Sequence, residues 1–320
     1  MSHIADVPGV RIGHAQDSFA RTGVTTLVFD EPALCGVSVR GGGPGTRETD
    51  ALRPGNLNPP VDALVLTGGS AFGLAAADGV QRALHSLGRG FRVGEHRIPI
   101  VPAAVIFDLT GEPADHADLG KKSVKAAVAA SDRAIGTVGA GINATTANLK
   151  GGVGSASEHV GDATVGALVV VNAVGAVTAA NGPWFRAAVF EHGGEFGGLH
   201  APASADFTTV ATKLAAEPGG NTVIAAVATD AALTVSQLER LAASAQNGIA
   251  LAVYPSHTLY DGDTIFAASC GTVSLDPALE LPVGLAAAAT RAVARAIARG
   301  VYAATKAEGD RFPSWHELYG

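Results

Sequence analysis

Apolar runs bounded by turn-forming residues recur along the chain, and the clearest of them covers residues 222–228. Its sequence, Thr-Val-Ile-Ala-Ala-Val-Ala, has no polar residue after the first position, and the segment Pro-Gly-Gly-Asn precedes it directly. An uninterrupted apolar run of this length is typical of a strand buried on both faces. We therefore expect Thr222 to be the first residue of a core strand.

The same pattern divides the rest of the chain into strands and helices. Apolar runs predict strands within residues 7–39, 61–67, 98–109, 151–157, 164–171, 175–179 and 249–254. Helical spacing predicts helices over residues 70–87, 124–130, 236–245 and 282–305. We expect a polar loop at 112–118, a surface loop at 136–148 and an exposed linker at 202–220, with a helical turn or two within 208–216. This alternation predicts an α/β fold in a single domain, residues 1–320.

Composition narrows the class of protein. Of the 320 residues, 47% are hydrophobic, 16% are charged and 41 are glycine, which indicates an ordered protein with many tight turns. The net charge is −7 and no basic run is present, so we expect no nucleic-acid partner. The partner indicated by the sequence is a small molecule.

The cysteines and the apolar segments bear on the cellular setting. Cys35 and Cys270 form no spaced motif, and the first residues lack a secretion signal, so we expect a reduced, cytoplasmic setting. The uncharged segment 163–185 is long enough to span a membrane, but it contains internal glycines and β-branched runs. Two buried strands joined by a turn explain it better, and no membrane association is expected.

The sequence around the Asn221–Thr222 bond can be interpreted in two ways. It is either an ordinary loop that enters a strand or a bond that the chain cleaves itself. In the second case, the Thr222 hydroxyl attacks the preceding carbonyl, and hydrolysis of the ester leaves Thr222 as a new N-terminus. Such a threonine carries its own base, since an α-amine titrates near pH 7.7–8.0.

Two carboxylates could assist this chemistry. Asp261 and Asp263 flank Gly262, and in an extended segment both side chains would lie on the same side. One could hold the new α-amine while the other orients it, and their repulsion would raise the pKa of one of them. The alternative is a turn in which Asp263 or Thr264 caps a helix through residues 266–267.

Two further polar residues stand out. Asn172 ends a valine run, and a buried amide must be hydrogen-bonded, since leaving it unpaired costs about 1–3 kcal/mol. It could bridge two loops or serve a reaction. Lys150 opens a glycine-rich strand and, from its local sequence, could be an ordinary surface lysine.

Other kinds of site are poorly supported. The glycine loop at 41–45 lacks the lysine of a phosphate-binding loop. A serine-hydrolase turn around Ser70 would need glycine at the position that Phe72 occupies, so Ser70 is expected to cap a helix instead. Cys270 has no imidazole near it in sequence and is expected to be a buried structural thiol. The histidines form no metal-binding pattern, and no cofactor or metal is predicted. Arg291, Arg295 and Arg299 are expected to form a solvated or subunit-facing stripe.

Five motifs together with the Asn-Thr junction resemble the L-aminopeptidase/D-esterase family, peptidase family S58, which includes β-aminopeptidases and nylon-oligomer endo-hydrolases. The motifs lie at residues 39–49, 66–74, 99–108, 150–157 and 261–263, in the family order. The resemblance implies a four-layer α-β-β-α sandwich that cleaves itself into chains 1–221 and 222–320. It also implies a homotetramer of such pairs and amide hydrolysis through an acyl-enzyme on Thr222.

The resemblance also implies roles for the other residues. It makes Asn172 an oxyanion donor and places Lys150 beside the nucleophile. The paired aspartates match the nylon-oligomer branch, whereas Phe107 stands where characterised branches often have a tyrosine, which implies a more apolar substrate pocket. Three alternatives stay open: an acyltransferase of the ornithine acetyltransferase kind, a serine hydrolase using Ser70, and an uncleaved assembly protein. Within the family, an aminopeptidase acting on α- or β-amino acid amides is the alternative to an oligomer hydrolase.

Overall fold

The computed structural model describes residues 2–57, 59–214, 220–274 and 281–320. The strands are β1 (Val10–Asp17), β2 (Thr22–Val39), β3 (Thr46–Arg47), β4 (Val61–Thr67), β5 (Phe91–Val93), β6 (His96–Ile98), β7 (Ala103–Val105), β8 (Gly152–Val160), β9 (Ala163–Asn172), β10 (Thr222–Ala231) and β11 (Thr264–Val273). The helices are α1 (Ser70–Gly73), α2 (Ala75–Ser86), α3 (His116–Ala129), α4 (Val235–Ala252), α5 (Leu281–Tyr302) and α6 (Trp315–Tyr319).

Strand β2 belongs to two sheets. Its first half pairs with β1 and β4, with Val24 opposite Thr67, and its second half pairs with β11, with Ser38 opposite Ile265. The strand is 18 residues long, so each half can complete a separate sheet. The first sheet has the order β1-β2-β4-β7-β3, and the second has the order β2-β11-β10-β9-β8.

Three groups of buried apolar residues separate the layers. The inner faces of the two sheets share one core, which includes Leu27, Leu66, Val170, Ile224 and Phe266. A second core lies between the first sheet and helices α2 and α3, and a third lies between the second sheet and helices α4 and α5. The predicted four-layer α-β-β-α sandwich is therefore confirmed.

Strand β10 lies at the centre of the second sheet. It runs antiparallel to β9 and parallel to β11, and all ten of its residues are buried. Because both faces of residues 223–228 pack against apolar layers, this part of the strand has no alternating polar positions, which explains the uninterrupted apolar run. The prediction that Thr222 begins a core strand is confirmed.

Three predicted strands are wrong in part or in full. Residues 249–252 belong to α4, because Leu241, Ala245, Ile249 and Ala252 repeat at helical spacing and share a buried face. Within 98–109 only Ile98, the last residue of β6, and the three-residue strand β7 are extended in a sheet, since Pro99 and Pro102 cannot donate to a ladder. Residues 175–179 make isolated bridges, including one from Gly175 to Thr212, instead of a continuous strand.

Other segments differ from expectation in burial or extent. The loop at 136–148 is largely buried, and Ala140 and Ala144 join the core between the sheets. Helix α3 begins inside the predicted polar loop because Asp115 caps it by accepting a hydrogen bond from the amide of Asp118. The predicted helical turn within 208–216 reaches beyond the described residues.

The arginine stripe on α5 is also different from the prediction. Arg295 and Arg299 are only 2% exposed, and Arg295 bonds to Glu195, with its Nε 2.6 Å from Oε1. These cations therefore hold the helix to its neighbours. In the part of the chain that the structure describes, no helix is both long and apolar enough to cross a membrane.

Candidate active site at the start of strand β10

The Thr222 hydroxyl contacts the peptide bond that would be cleaved. Its Oγ1 donates a hydrogen bond to the carbonyl oxygen of Asn221, and both residues are almost completely buried. The amide of Gly262 donates to the same carbonyl oxygen at 2.9 Å. The carbonyl is therefore polarised by a backbone N–H group and lies beside a hydroxyl nucleophile, an arrangement that favours attack on its carbon.

Two glycine-containing loops allow this close approach. A Cβ atom on Gly262 would lie 2.8 Å from Thr222 Oγ1 and 2.6 Å from the carbonyl oxygen of Gly43. Gly41 has φ +92°, and a Cβ atom there would lie 2.3 Å from the carbonyl oxygen of Asp261. The loop at 41–45 thus packs against the aspartate loop, as expected for glycines that line a pocket instead of a phosphate site.

Asp263 is held next to the nucleophile. Its Oδ1 accepts from the amide of Val223 at 2.7 Å, and its Oδ2 lies 2.7 Å from Nδ1 of His257 and 3.2 Å from the His257 amide. The carboxylate is 1% exposed. It therefore lies one residue from the nitrogen that cleavage would release. His257 was not predicted, because it lies six positions before Asp263 in an irregular loop and no sequence pattern joins the two residues.

Asp261 lies on the other side of Gly262. Its Oδ2 accepts from the amide and the hydroxyl of Thr258, each at 2.7 Å. Burial, and then the neighbouring Asp263 carboxylate, raise the pKa of Asp261 above its ordinary value. The two aspartates are thus brought together at the site with unequal environments, and the alternative in which they cap a helix is wrong, because β11 follows.

Asn172 is directly opposite Thr222 in the β9–β10 ladder. Its Nδ2 donates to the carbonyl oxygens of Gly220, at 2.9 Å, and Phe107, at 3.0 Å. In the uncleaved chain the amide therefore holds the carbonyl one residue before the cleavage bond. The Phe107 ring packs against Gly220, where a Cβ atom would lie 2.3 Å from its Cγ.

The two buried lysines near the site differ from expectation. Lys150 is 1% exposed, and its ammonium pairs with Asp310, which Arg21 also contacts. Lys150 is therefore a buried member of an ion pair instead of a surface lysine. Lys213, in the predicted exposed linker, is also 1% exposed and has its Nζ 2.9 Å from Asn172 Oδ1. In the sequence, Lys213 lies among valine, alanine, threonine and leucine residues, and these neighbours were the only indication of its burial.

The rival nucleophiles are poorly placed. Ser70 has φ +53° and is the first residue of α1, whereas Gly69 is the N-cap, so the predicted cap at Ser70 is wrong. The imidazole nearest to this turn, His116, has its Nε2 3.4 Å from Thr22 Oγ1. Burial, followed by the Asp230 and Asp30 charges, raises the pKa of the Cys270 thiol to about 11. A thiol with this pKa is almost entirely protonated near pH 7 and a poor nucleophile.

Comparisons with known proteins find similar sequences along nearly the whole chain. The model for peptidase family S58 matches residues 2–312. An uncharacterized aminopeptidase of Mycobacterium tuberculosis is 41% identical over 348 residues, covering 100% of this chain and 98% of the relative. A 6-aminohexanoate-oligomer endohydrolase of Kocuria sp. is 29% identical, covering 84% of this chain and 75% of the relative.

Solved structures show the same fold. A β-aminopeptidase of Burkholderia sp. has a TM-score of 0.70 at 23% identity, covering 97% of this chain and 90% of that structure. The L-aminopeptidase D-Ala-esterase/amidase of Ochrobactrum anthropi, described as a variant of the Ntn-hydrolase fold, has a TM-score of 0.67 at 20% identity, covering 98% and 89%. With a family match across nearly the whole chain and a relative 41% identical over its full length, the chain belongs to peptidase family S58 and is a hydrolase of amide bonds.

Proposed function

We propose that the chain cleaves its own Asn221–Thr222 bond and then hydrolyses small amides with Thr222 as the N-terminal nucleophile. The observation that carries the proposal is the Thr222 hydroxyl on the Asn221 carbonyl, which the Gly262 amide also holds at 2.9 Å. Oγ1 attacks the carbonyl carbon and loses its proton, the C–N bond breaks, and the Thr222 nitrogen takes up a proton. Water then hydrolyses the ester and releases the Asn221 carboxylate.

The products are a chain of residues 1–221 and a chain of residues 222–320. The new α-amine serves as the base for its own hydroxyl during turnover. Asp263 lies beside it through the bond to the Val223 amide, and the Asp261 carboxyl, whose pKa is raised, is suited to hold or return a proton. The substrate acyl group then occupies the place of Asn221.

The direct test is the intact mass of the purified protein under denaturing conditions. We expect two chains, the smaller beginning Thr-Val-Ile-Ala, and no cleavage or turnover in Thr222→Ala. Thr222→Ser, which loses only a methyl group, should retain part of both. An active enzyme that stays a single intact chain would refute the proposal.

The substrates we propose are short amides, with internal amides of linear ω-amino acid oligomers as the first choice. Two features support this class. The aspartate pair attracts a cationic amino group, and the Phe107 ring offers an apolar wall beside Gly220.

A panel of p-nitroanilides (α-alanyl, β-alanyl and 6-aminohexanoyl) together with 6-aminohexanoate oligomers tests this choice. We expect hydrolysis of amides with an unbranched aliphatic acyl part. Strong preference for the α-alanyl compound without oligomer cleavage would instead assign an aminopeptidase specificity.

The cellular location and the oligomeric state are part of the same proposal. The free cysteines support a reduced, cytoplasmic location, and Cys35 is fully enclosed in the core between the sheets. We propose a homotetramer of processed pairs, without nucleic-acid or membrane partners. Light scattering of the processed protein measures the assembly directly, and a monomeric pair would contradict it.

A further inference from the structure

A buried lysine outside the mechanism above lies against Asn172. The Nζ of Lys213 is 2.9 Å from Asn172 Oδ1, 2.8 Å from Thr145 Oγ1 and 3.1 Å from the Thr145 carbonyl oxygen. The side chain is 1% exposed. Hydrogen bonds from a buried ammonium are stronger than those between neutral groups, so this contact has a large influence on the amide it touches.

The lysine determines which way the Asn172 amide faces. An asparagine presents an acceptor on one side and donors on the other, whereas an ammonium can only donate. The amide of Thr145 also donates to Oδ1, at 3.0 Å. Oδ1 must therefore face Lys213 and Thr145, and Nδ2 must face the cleavage site, where it meets the Gly220 carbonyl.

The backbone at Lys213 is bonded to residues that follow β9, and these bonds involve neither Gly220 nor Asn221. Its amide donates to the carbonyl oxygen of Val174 at 3.2 Å, and Thr212 forms a bridge with Gly175. When the bond after Asn221 breaks, Gly220 can leave while Lys213 stays in place. The Nδ2 of Asn172 then becomes a donor directed at the space that an incoming acyl group enters.

We propose that Lys213 is a positioning residue of the reaction centre, acting through Asn172. Its charge holds the amide and polarises it, so that the NH₂ group binds carbonyl oxygen more strongly as negative charge develops. The inference rests on the proposed self-cleavage and deepens it by assigning Lys213 as the cation that contacts Asn172.

A double-mutant cycle on self-cleavage tests the proposal, with freshly translated full-length chains followed by denaturing electrophoresis. We expect Lys213→Met to cleave about 10- to 100-fold more slowly than the wild type, because the amide loses its charged partner. In an Asn172→Ala background the same change should cost less than about threefold, since the group it acts through is gone. An equal slowdown in both backgrounds, or a wild-type rate in Lys213→Met, overturns the proposal.

Two comparisons make the result specific. Lys122→Met removes a lysine that is 62% exposed on α3 and should cleave at the wild-type rate. Processed Lys213→Met should have a lower kcat on a p-nitroanilide with a nearly unchanged KM, which loss of substrate binding would not produce. An uncleaved wild-type chain would refute the proposed function itself, whereas a cleaving wild type leaves Lys213 to be decided by its variants.

If Lys213→Met does not fold by circular dichroism, the cycle is run with Lys213→Arg, which keeps a charged group that can only donate. A slowdown that disappears beside Asn172→Ala supports the proposal. A slowdown that persists unchanged beside Asn172→Ala overturns it.

Discussion

At the scale of single residues, the site depends on backbone donors as much as on side chains. The Phe107 side chain has no hydroxyl that could donate to an oxyanion. In the uncleaved chain the Gly262 amide contacts the carbonyl oxygen of Asn221, and the Phe107 carbonyl accepts from Asn172. The ring at this position therefore packs against the chain before the cleavage bond while a backbone N–H group supplies the polarisation.

Asp261 should lower stability when it is ionised. Its pKa is raised, first by burial, so the folded state favours the protonated form, and stability falls as pH rises above the ordinary carboxyl pKa of about 3.9. Asp261→Asn keeps an oxygen for both Thr258 donors, loses only the weaker bond from the Val174 amide and removes the buried charge. We expect the variant to have a higher Tm than the wild type at pH 7, with a difference that shrinks as the pH approaches 4.

The matched control is Asp263→Asn, measured by the same thermal scans. Its two oxygens accept from separate donors, the Val223 amide and His257, so an asparagine would turn an NH₂ group toward one of them. We expect it to be destabilised by about 1–3 kcal/mol. A lower Tm for Asp261→Asn than for the wild type at every pH would contradict the destabilisation that we assign to the buried Asp261 charge.

Sequence could identify the residues whose function follows from neighbours along the chain. Thr222, after a turn and at the start of an apolar run, was predictable, and so was the need for Asn172 to find partners. Lys213 and His257 were not, because their contacts come from loops that meet only after the sheets form. A lysine in a segment otherwise rich in exposed residues gives no local signal of the acceptors that surround it.

At the scale of elements, two short loops determine the space around the nucleophile. Gly262→Ala would place a methyl group 2.8 Å from Thr222 Oγ1 and 2.6 Å from the Gly43 carbonyl oxygen, so one of them must move. Displacement of a reacting group by about 1 Å costs about 100-fold in rate. We expect self-cleavage of this variant, followed by denaturing electrophoresis, to slow by about that factor.

Gly43→Ala is the control for the Gly262 prediction. It lies in the facing loop, but its added Cβ atom would be 3.9 Å from the nearest atom, an ordinary contact. We expect cleavage within about twofold of the wild-type rate. Equal rates in both alanine variants would show that contact with Gly262 does not position the hydroxyl.

Helix α5 is held by buried ion pairs, which its regular arginine spacing did not reveal. Arg295, 2% exposed, pairs with Glu195, whereas Arg291 pairs with Glu158 and has a side chain that is 39% exposed. We expect Arg295→Met to lower the free energy of unfolding in urea by about 3 kcal/mol, because it leaves a buried carboxylate short of a partner. Arg291→Met should cost less than about 1 kcal/mol.

If the two variants lost the same stability, the burial of Arg295 would not matter energetically. The spacing of the three arginines is the same whether the helix face is solvated or covered. Burial here depends on β8 and on the loop that carries Glu195, which lies far away in sequence. The strands and helices could be predicted from apolar runs, and the four layers were implied by the family resemblance. The division of β2 between two sheets could not be predicted, because a single extended strand has the same local pattern in either arrangement.

At the scale of the whole molecule, the cleavage point lies at a boundary between elements. The bond before Thr222 precedes the first residue of β10, so its cleavage breaks no strand. The order of the second sheet, β2-β11-β10-β9-β8, places both strands of residues 222–320 between strands of residues 1–221. Helices α4 and α5 of the second chain also cover the outer face of that sheet.

The two processed chains should therefore remain one folded body. Separating them would break the β9–β10 and β2–β11 ladders and expose apolar residues of both cores that the second sheet shares, at about 25 cal/mol for each Å². We expect cleaved protein to elute as a single species in native size-exclusion chromatography and to unfold in one transition, with the chains separating only in denaturant. Thr222→Ala, which stays uncleaved, is the control and should elute at the same volume. Release of a free 222–320 chain under native conditions would contradict the interleaved sheet. In that sheet β10 is hydrogen-bonded to β9 and β11 to β2, so the chain can leave only if the ladders on both sides break.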